Sequence, residues 1–300
     1  MLDLHRLVLL RAVGLHGGIT AAARELAYSH SAISQQLSLL EKEAGTPLLE
    51  KVGRSAQLTP AGLELVRNTE PILAALEHAE AELAASHDQP LGVVTLAVFP
   101  SIGRGVLPAA LVALADAHPG LDVRVRVLDP EDAALRLVSR QVDAVVTDSY
   151  PGTQVAPTGG IHASVLGRDA VRGYLPAAHA DADLERLRTL PWVMEPRASA
   201  STQWALRVCR ELGFEPHVAH ESSDVLFHLR MVEAGVAAAF LPDLVVRETG
   251  SRLAPSAQLP ADQHRSILFL TRSGAQAHPA LAVIERAIAD AFAESVSRAD

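Results

Sequence analysis

Short polar side chains recur at helical spacing near the start of the chain. Residues 29–42 read SHSAISQQLSLLEK, and Ser31, Ser34, Gln35 and Ser38 fall on one helical face. Serine forms helices less well than Glu, Lys or Arg, so solubility alone does not favour it here. Short hydroxyls let a helix lie deep in a DNA groove, where Gln35 can bond adenine twice and serines can bond bases or phosphates. This face predicts a base-reading helix; an ordinary solvated face with a chance excess of serine is the alternative.

Two further helices are expected to precede this one and hold it in place. Apolar residues recur at helical spacing over 4–15, and Gly17 ends that helix because glycine accepts the left-handed C-cap conformation. Thr20 is predicted to cap a second helix over 21–27, and Ser29 a third. Two short helices meeting at a tight turn, the second bearing the polar face, are typical of a helix-turn-helix reader of the major groove.

A basic hairpin is predicted directly after the three helices. Residues 48–52 and 56–59 have the composition of short strands, and Gly53-Arg54-Ser55 forms the turn between them. Lys51 and Arg54 would extend from this hairpin as a wing toward phosphates.

The ordered pattern over residues 22–62 resembles the signature of LysR-type transcriptional regulators, and the likeness extends over residues 1–300. The matching positions are Ala22-Ala23, Leu26, Ser29-His30-Ser31-Ala32-Ile33-Ser34, Leu40-Glu41, Ala44-Gly45, Leu48-Leu49, Lys51, Arg54 and Leu58-Thr59-Pro60-Ala61-Gly62. His30, Ser31 and Lys51 depart from the residues common at these places, so the resemblance does not fix the preferred bases. The predicted DNA-binding residues are His30, Ser31, Ser34, Gln35, Ser38, Lys42, Lys51 and Arg54.

The charge distribution limits how strongly one subunit can hold DNA. The formal net charge is −9, yet residues 1–62 contain six basic and five acidic side chains, so the acidity lies further along the chain. Because residues 1–62 are nearly neutral, they can make few contacts with DNA phosphates. We therefore expect weak non-specific binding and dependence on a homodimer or homotetramer.

Cysteine content and hydropathy indicate a cytoplasmic protein. Asp3, His5 and Arg6 interrupt the N-terminal apolar stretch, so no signal peptide is expected, and no stretch has the composition of a membrane span. Cys209 is the only cysteine, which excludes an intrachain disulfide and a two-thiol redox switch.

Residues 60–87 predict one long linker helix of about 42 Å. Thr59 and Pro60 give a strong start signal, whereas Pro71 should kink the helix or divide it into two shorter ones. Apolar steps of three and four residues predict a seam for a second copy of the chain. The predicted dimerisation residues are Val66, Leu73, Leu76 and Leu83.

The remainder of the chain predicts an α/β domain. Strands are predicted at 92–99, 123–127 and 142–147, with helices at 105–117 and from 129, which favours largely parallel sheets. The resemblance implies two lobes, like a type 2 periplasmic binding protein, joined by crossover strands near 161–168 and 265–272. The predicted domains are a winged helix-turn-helix (1–59), a linker helix (60–89) and an effector-binding domain (90–300), with lobe 1 at about 90–160 and 273–300 and lobe 2 at about 168–265.

Ligands of open α/β sheets bind at the carboxyl ends of strands, often beside helix N-termini. The resemblance implies an effector cleft there, and its predicted residues are Pro100, Ser101, Ile102, Thr147, Asp148, Ser199, Ser201, Thr202 and Phe240. Each hydroxyl has a second interpretation as a plain helix cap. Asp148 would repel an anion but can accept from an amine or hydroxyl, so the effector's charge stays open.

Three functions compete for this chain. The favoured one is a sequence-specific DNA-binding regulator that responds to an unidentified small-molecule co-inducer and thereby changes DNA bending and promoter activity, with RNA polymerase as a further expected partner. A solute-binding module would leave residues 1–87 without a role. An enzyme would need a catalytic set, and Gly103-Arg104-Gly105 has Pro108 where a dinucleotide fingerprint needs its third glycine. No catalytic residue, metal site or cofactor is predicted.

Overall fold

The computed structural model describes residues 1–26, 28–52, 55–86, 89–153 and 160–297. The first of its units is a head of three helices and a hairpin. The head comprises α1 (Leu4–His16), α2 (Ile19–Glu25), α3 (His30–Ala44), β1 (Leu49–Val52) and β2 (Ser55–Leu58). Ile33, Leu37 and Leu40 of α3 are buried against α1 and α2, which leaves the opposite face of α3 outward.

The helix ends of the head follow the capping rules, with one exception. Ser29 caps α3 as predicted, because its Oγ accepts from the Ala32 N–H at 3.1 Å. Gly17 ends α1 in the left-handed conformation. The prediction that Thr20 caps α2 is wrong: Gly18 holds the N-cap position with a φ of +151°, which favours glycine, and α2 begins at Ile19. Only Gly17 and Gly18 separate the two helices, so no room remains for a longer connection.

The linker is a single helix, α4 (Pro60–Ala85). Thr59 Oγ1 accepts from the Gly62 N–H at 3.0 Å, which confirms the predicted start. Pro71 lies inside the helix without dividing it, so the alternative of two shorter helices is wrong. Pro71 is exposed, and the carbonyl that loses its N–H partner can turn toward water.

The predicted seam of α4 mixes two faces of the helix. Leu73 is already buried within one protomer, and Val66 packs at the edge of the head core, which corrects their assignment to a dimer seam. The C-terminal domain covers this face, a contact that the linker sequence alone does not reveal. The outward apolar stripe is instead Ile72, Leu76, Ala79 and Leu83, and Leu83 is 70% exposed.

The first part of the C-terminal domain is an α/β unit. It contains β3 (Gly92–Val98), α5 (Pro100–Gly105), α6 (Leu107–Ala117), β4 (Leu121–Val127), α7 (Pro130–Val138) and β5 (Ala144–Ser149). The helix predicted at 105–117 is present as α6, and α5 is an additional short helix before it; Val106 leaves helical geometry between the two, and Pro108 lies in the first turn of α6.

The second part follows a long crossover strand. Its elements are β6 (Ile161–Tyr174), α8 (Leu184–Thr189), β7 (Pro191–Met194), α9 (Ala200–Glu211), β8 (His217–Glu221), α10 (Val225–Glu233), β9 (Ala239–Pro242) and α11 (Asp243–Glu248). The second crossover strand, β10 (His264–Arg272), then returns the chain to the first part, where α12 (Pro279–Ser297) packs.

One mixed sheet of order β4-β3-β5-β10-β6-β9 joins these two parts, which are lobe 1 and lobe 2. β3 is parallel to β4 and β5, whereas β10 is antiparallel to both β5 and β6. The expectation of largely parallel sheets is therefore corrected: the two crossover strands run in opposite directions between the lobes and pair with each other. Each lobe has its own buried core, and that of lobe 2 includes both tryptophans, Trp192 and Trp204.

None of the helices in the described ranges combines the length and the hydropathy that a membrane crossing needs.

Candidate functional site

The polar face of α3 is exposed on the head. His30, Ser31, Gln35, Ser38 and Lys42 are exposed, and Ser34 is half-buried. Lys51 is exposed on β1, in the hairpin that follows α3 along the chain. The predicted wing residue Arg54 lies outside the described residues. The described members of the predicted DNA-binding set are thus available to a partner, which is the geometric condition for reading a groove.

The head also contacts lobe 1 of its own chain. Arg11, on α1, is buried, and its guanidinium donates to the Glu70 carboxylate at 2.5 Å and to the Val138 carbonyl at 2.6 Å. Gln141 Nε2 donates to the Glu25 carbonyl at 2.9 Å. Head, linker and lobe 1 therefore meet through hydrogen bonds from buried and half-buried groups.

Further along the linker, Glu77 is held by two arginines, Arg140 of lobe 1 and Arg272 at the lobe 1 end of β10. Arg272 Nε donates to its carboxylate at 2.5 Å, and Arg140 Nη2 lies 2.9 Å from it without an aligned hydrogen bond. Gly274 packs so closely on α4 that a Cβ there would overlap the Ala74 carbonyl, and its φ of +96° is left-handed. Only glycine meets both conditions without strain.

A cleft opens between the lobes at the carboxyl ends of β3, β5 and β7. It encloses about 920 Å³, open solvent at its mouth included. A smaller cavity of about 380 Å³ adjoins it in lobe 2, and both are lined by Tyr150, Glu195 and Ser201. The walls are rich in aromatic and small side chains with a few convergent charges, which is typical of a small-molecule site.

Arg265 forms the floor of the cleft. Its guanidinium donates to Asp169 at 2.8 and 3.0 Å, to Asp148 at 3.0 Å and to Ser101 Oγ at 3.0 Å. It also lies 5.1 Å from the centre of the Phe99 ring. Burial alone would lower the pKa of Arg265, but Asp169 and its other partners raise it above its ordinary value, so the group stays charged.

This network joins the two crossover strands to both lobes of the domain. Arg265 belongs to β10 and Asp169 to β6, the two crossover strands, whereas Asp148 and Ser101 belong to lobe 1. Asp169 Oδ1 also accepts from the Leu244 N–H at 3.1 Å, near the start of α11 in lobe 2. A change in lobe closure must therefore act on these bonds.

The lobe 2 side of the cleft begins at α9. Ser199 caps that helix, since its Oγ accepts from the Thr202 N–H at 3.2 Å. Ser201 Oγ donates to the Glu195 carboxylate, and Thr202 Oγ1 donates to the Glu195 carbonyl at 2.9 Å. Burial, followed by the nearby charge of Asp148, holds the pKa of Tyr150 well above its usual value of 10, so its phenol remains protonated.

Comparison with known proteins decides the family. The sequence model of the LysR substrate binding domain matches residues 87–293, and that of the bacterial regulatory helix-turn-helix protein, lysR family, matches residues 4–63. The chain belongs to the LysR family. It is a DNA-binding transcription regulator, and the family is one of regulators rather than enzymes.

Similar LysR-family proteins cover most of the chain. The "Transcriptional dual regulator GltC" of Bacillus subtilis is 26% identical over 227 residues, 74% of each chain. A "Probable hydrogen peroxide-inducible genes activator" of Mycobacterium avium is 28% identical over 239 residues, 78% of this chain and 75% of that protein.

Solved structures share the fold of this regulator. A mutant of OxyR from Corynebacterium glutamicum aligns over 100% of this chain and 94% of its own, with a TM-score of 0.59 and 20% identity. Full-length CbnR in complex with its target DNA aligns over 97% and 99%, with a TM-score of 0.52 and 21% identity.

Most of the predicted effector residues of this LysR-family chain lie at the cleft. Pro100, Ser101, Asp148, Ser199 and Ser201 line the main cavity, and Thr202 and Phe240 line the adjoining one. Ile102 and Thr147 do not reach either cavity, which corrects their selection. Ile102 is packed in the lobe 1 core, and Thr147 is buried on the other side of β5 from Asp148.

Sequence reasoning missed three groups that shape the cleft: Arg265, Glu195 and Tyr150. Arg265 is the second residue of β10 and directly precedes its apolar stretch, and a cation at the start of a buried strand was the available signal. Glu195 follows the buried strand β7 and therefore meets the same carboxyl-end rule that selected Asp148.

The single cysteine of this regulator is not poised for redox chemistry. Cys209 is buried in the core of lobe 2, and burial raises the pKa of its thiol to about 12. The thiolate is the reactive form of cysteine, so this group is inert at neutral pH.

Proposed function

We propose that this LysR-family regulator binds a small-molecule effector in the cleft between its lobes and transmits lobe closure to paired DNA-binding heads. The Arg265 network carries this proposal. It connects both crossover strands and lobe 1 at the floor of a cavity large enough for a small metabolite. A ligand that prefers one degree of closure shifts the equilibrium by its difference in affinity for the two states.

Contacts of lobe 1 with the head and with the linker supply the route by which a movement of the lobes reaches the DNA-binding helix. Arg11 and Gln141 bind the head to lobe 1, and Arg272 binds lobe 1 to the linker through Glu77. A movement of lobe 1 therefore alters the position of the head. In a dimer or tetramer joined along α4, this changes the spacing of two heads on DNA and so the DNA bend, with consequences for RNA polymerase at the promoter.

The proposed DNA contacts are the exposed face of α3 and the wing. Gln35 and the serines of α3 read bases, whereas Lys42, Lys51 and Arg54 hold phosphates. This division assigns specificity to the helix and general affinity to the basic residues. DNA as the target also gives the cytoplasm as the proposed place of action.

Binding of the full-length protein to the DNA upstream of its own gene tests the proposal. Fluorescence anisotropy across a salt series, with a scrambled duplex of equal length as control, should give tighter binding to the upstream DNA and a linear fall of log affinity with log salt. Equal affinity for both duplexes at every salt concentration would refute sequence-specific recognition at this site.

Transmission has its own test. Gln141→Ala removes a contact between lobe 1 and the head without touching the DNA-binding face, and it should change the DNA bend angle in a circular-permutation assay. Gln203→Ala, whose amide donates within lobe 2 to the Arg197 carbonyl, is the matched control and should leave the angle unchanged. Identical angles for both variants and the wild type would contradict the proposed route.

A further inference from the structure

One helix of lobe 1, α7, begins at the cleft. Asp129 and Pro130 line the cavity, and Pro130 is the first residue of the helix. Asp129 is exposed, and although it occupies the N-cap position, its side chain makes no capping hydrogen bond with the helix. An occupant of the cleft therefore meets the start of α7 directly.

The other end of α7 lies against the DNA-binding head. Arg136, in its last turn, is 3.5 Å from the Glu25 carboxylate at the end of α2, and the Val138 carbonyl accepts from Arg11 of α1 at 2.6 Å. Gln141, just beyond the helix, donates to the carbonyl and the side chain of Glu25 at 2.9 and 3.1 Å. Arg136 Nη1 donates to Gln141 Oε1 at 2.6 Å, which ties this residue to the helix. Nine residues of helix, about 13.5 Å, thus separate the cleft from the head.

The body of α7 packs on the central sheet. Ala133 and Leu137 are buried in a core that includes Ala97 of β3, Val145 of β5 and Leu270 of β10. Close-packed side chains resist local deformation, so a packed helix shifts as a unit, by about 1–2 Å in known transitions. A push on the first turn of α7 is therefore expected at its last turn as well.

The residues that follow α7 are held against the linker. Arg140 has a φ of +62°, and within the described ranges it is the one non-glycine residue with a left-handed backbone, which costs about 1–2 kcal/mol. In this conformation its Nη2 lies 2.9 Å from the Glu77 carboxylate of α4. Arg272 donates to the Val142 carbonyl at 2.7 Å and also to Glu77. A shift of α7 consequently acts on the linker as well as on the head.

We propose that α7 carries the state of the cleft to the DNA-binding head, with Asp129 and Pro130 as its sensing end and Arg136 and Gln141 as its output end. The inference rests on the proposed function of the cleft as the effector site. Because one rigid helix contacts both places, an occupant that displaces its first turn also displaces the contacts with Glu25. The route lies between lobe 1 and the head, so it acts in addition to closure of the lobes.

A tethered occupant tests this role on the full-length protein. Asp129→Cys places a thiol at the cleft end of α7, whereas the native Cys209 is buried with a thiol pKa of about 12 and does not compete for the reagent. Benzyl methanethiosulfonate attaches a benzyl group through a disulfide, and mass spectrometry counts the attached groups. We expect labelling to change the Kd for the upstream duplex about fivefold, and dithiothreitol to restore it. Glu185→Cys, where the native side chain is 80% exposed on α8, is the control and should give the same Kd before and after labelling.

The output end of the helix is tested in the Asp129→Cys background. Arg136→Ala together with Gln141→Ala removes both side chains that contact Glu25, and labelling should then change the Kd by less than about twofold. Gln203→Ala in the same background is the matched control and should retain the full effect of the label. Far-UV circular dichroism of each variant checks folding.

A second tether, at Ser223→Cys in the lobe 2 wall of the cleft, separates this inference from the proposed function. A change of Kd on labelling at Ser223 but not at Asp129 would overturn the role of α7 and leave the cleft as an effector site. An effect of the Asp129 label that persists without Arg136 and Gln141 would overturn that role too. No change from either label would count against both α7 and the cleft.

Discussion

Replacement of Arg265 by methionine should strongly destabilise the C-terminal domain. The Arg265 side chain is 2% exposed and that of Asp169 is 3% exposed, so solvent screens this ion pair very little. Removal of the guanidinium leaves Asp169 and Asp148 together in the interior without a counter-charge. Breaking a buried pair in this way costs about 3–5 kcal/mol, and we expect the free energy of unfolding to fall by about that amount.

Urea unfolding of the full-length protein measures this loss. Trp192 and Trp204 are both in the lobe 2 core, so their fluorescence reports on the domain in question. Arg124→Met is the matched control, because Arg124 is 65% exposed and pairs with Asp122 at the surface, and its loss should cost less than about 1 kcal/mol.

A second substitution tests the cause. Asp169→Asn in the Arg265→Met background removes one uncompensated charge and keeps an oxygen for the Leu244 N–H, so part of the stability should return. Unfolding of Arg265→Met at the same urea concentration as Arg124→Met would refute the account of the network.

Three further perturbations follow from the structure. Burial lowers the pKa of His228 below its ordinary value of 6.5, so the unfolded chain binds this proton at a higher pH than the folded chain does. The free energy of unfolding should therefore be unaffected by this group above about pH 6.5 and decline below it, as measured by urea unfolding from pH 8 to pH 5. His228→Gln should flatten that decline and leave the contribution of His16, whose pKa burial also lowers. Gly274→Val should cost about 1–3 kcal/mol in thermal unfolding, because the new side chain meets the linker backbone at a left-handed φ, and an unchanged melting temperature would exclude a tight contact there. Leu83→Glu should dissociate the oligomer in sedimentation velocity, since Leu83 is exposed on the outward stripe of α4; an unaltered sedimentation coefficient would place the interface elsewhere.

Local features of the sequence predicted the head well. The spacing of polar residues in α3 and the caps at Ser29 and Thr59 depend on residues a few positions apart, and the structure places them as expected. The error at Thr20 is equally local: two glycines fit the turn, and Gly18 takes the cap position from the better capping residue.

Features set by distant contacts were not predictable in the same way. Leu73 has the spacing of a seam residue, but lobe 1, more than sixty positions away, covers it. Arg265 and Asp169 are 96 positions apart, and only the pairing of β10 with β6 brings them together. The sequence of β5 shows that Thr147 and Asp148 point to opposite faces of the strand. It does not show which of the two faces lines the cleft, so both residues were selected.

The most direct test of base reading by α3 is the ratio of affinities for the upstream and scrambled duplexes across a salt series, measured for Gln35→Ala and Lys51→Ala. The account predicts that Gln35→Ala lowers discrimination by about 1–3 kcal/mol without changing the salt slope. Lys51→Ala should weaken binding to both duplexes alike and reduce the slope by about 1. Equal losses on both duplexes for Gln35→Ala would contradict the central claim that this face reads sequence.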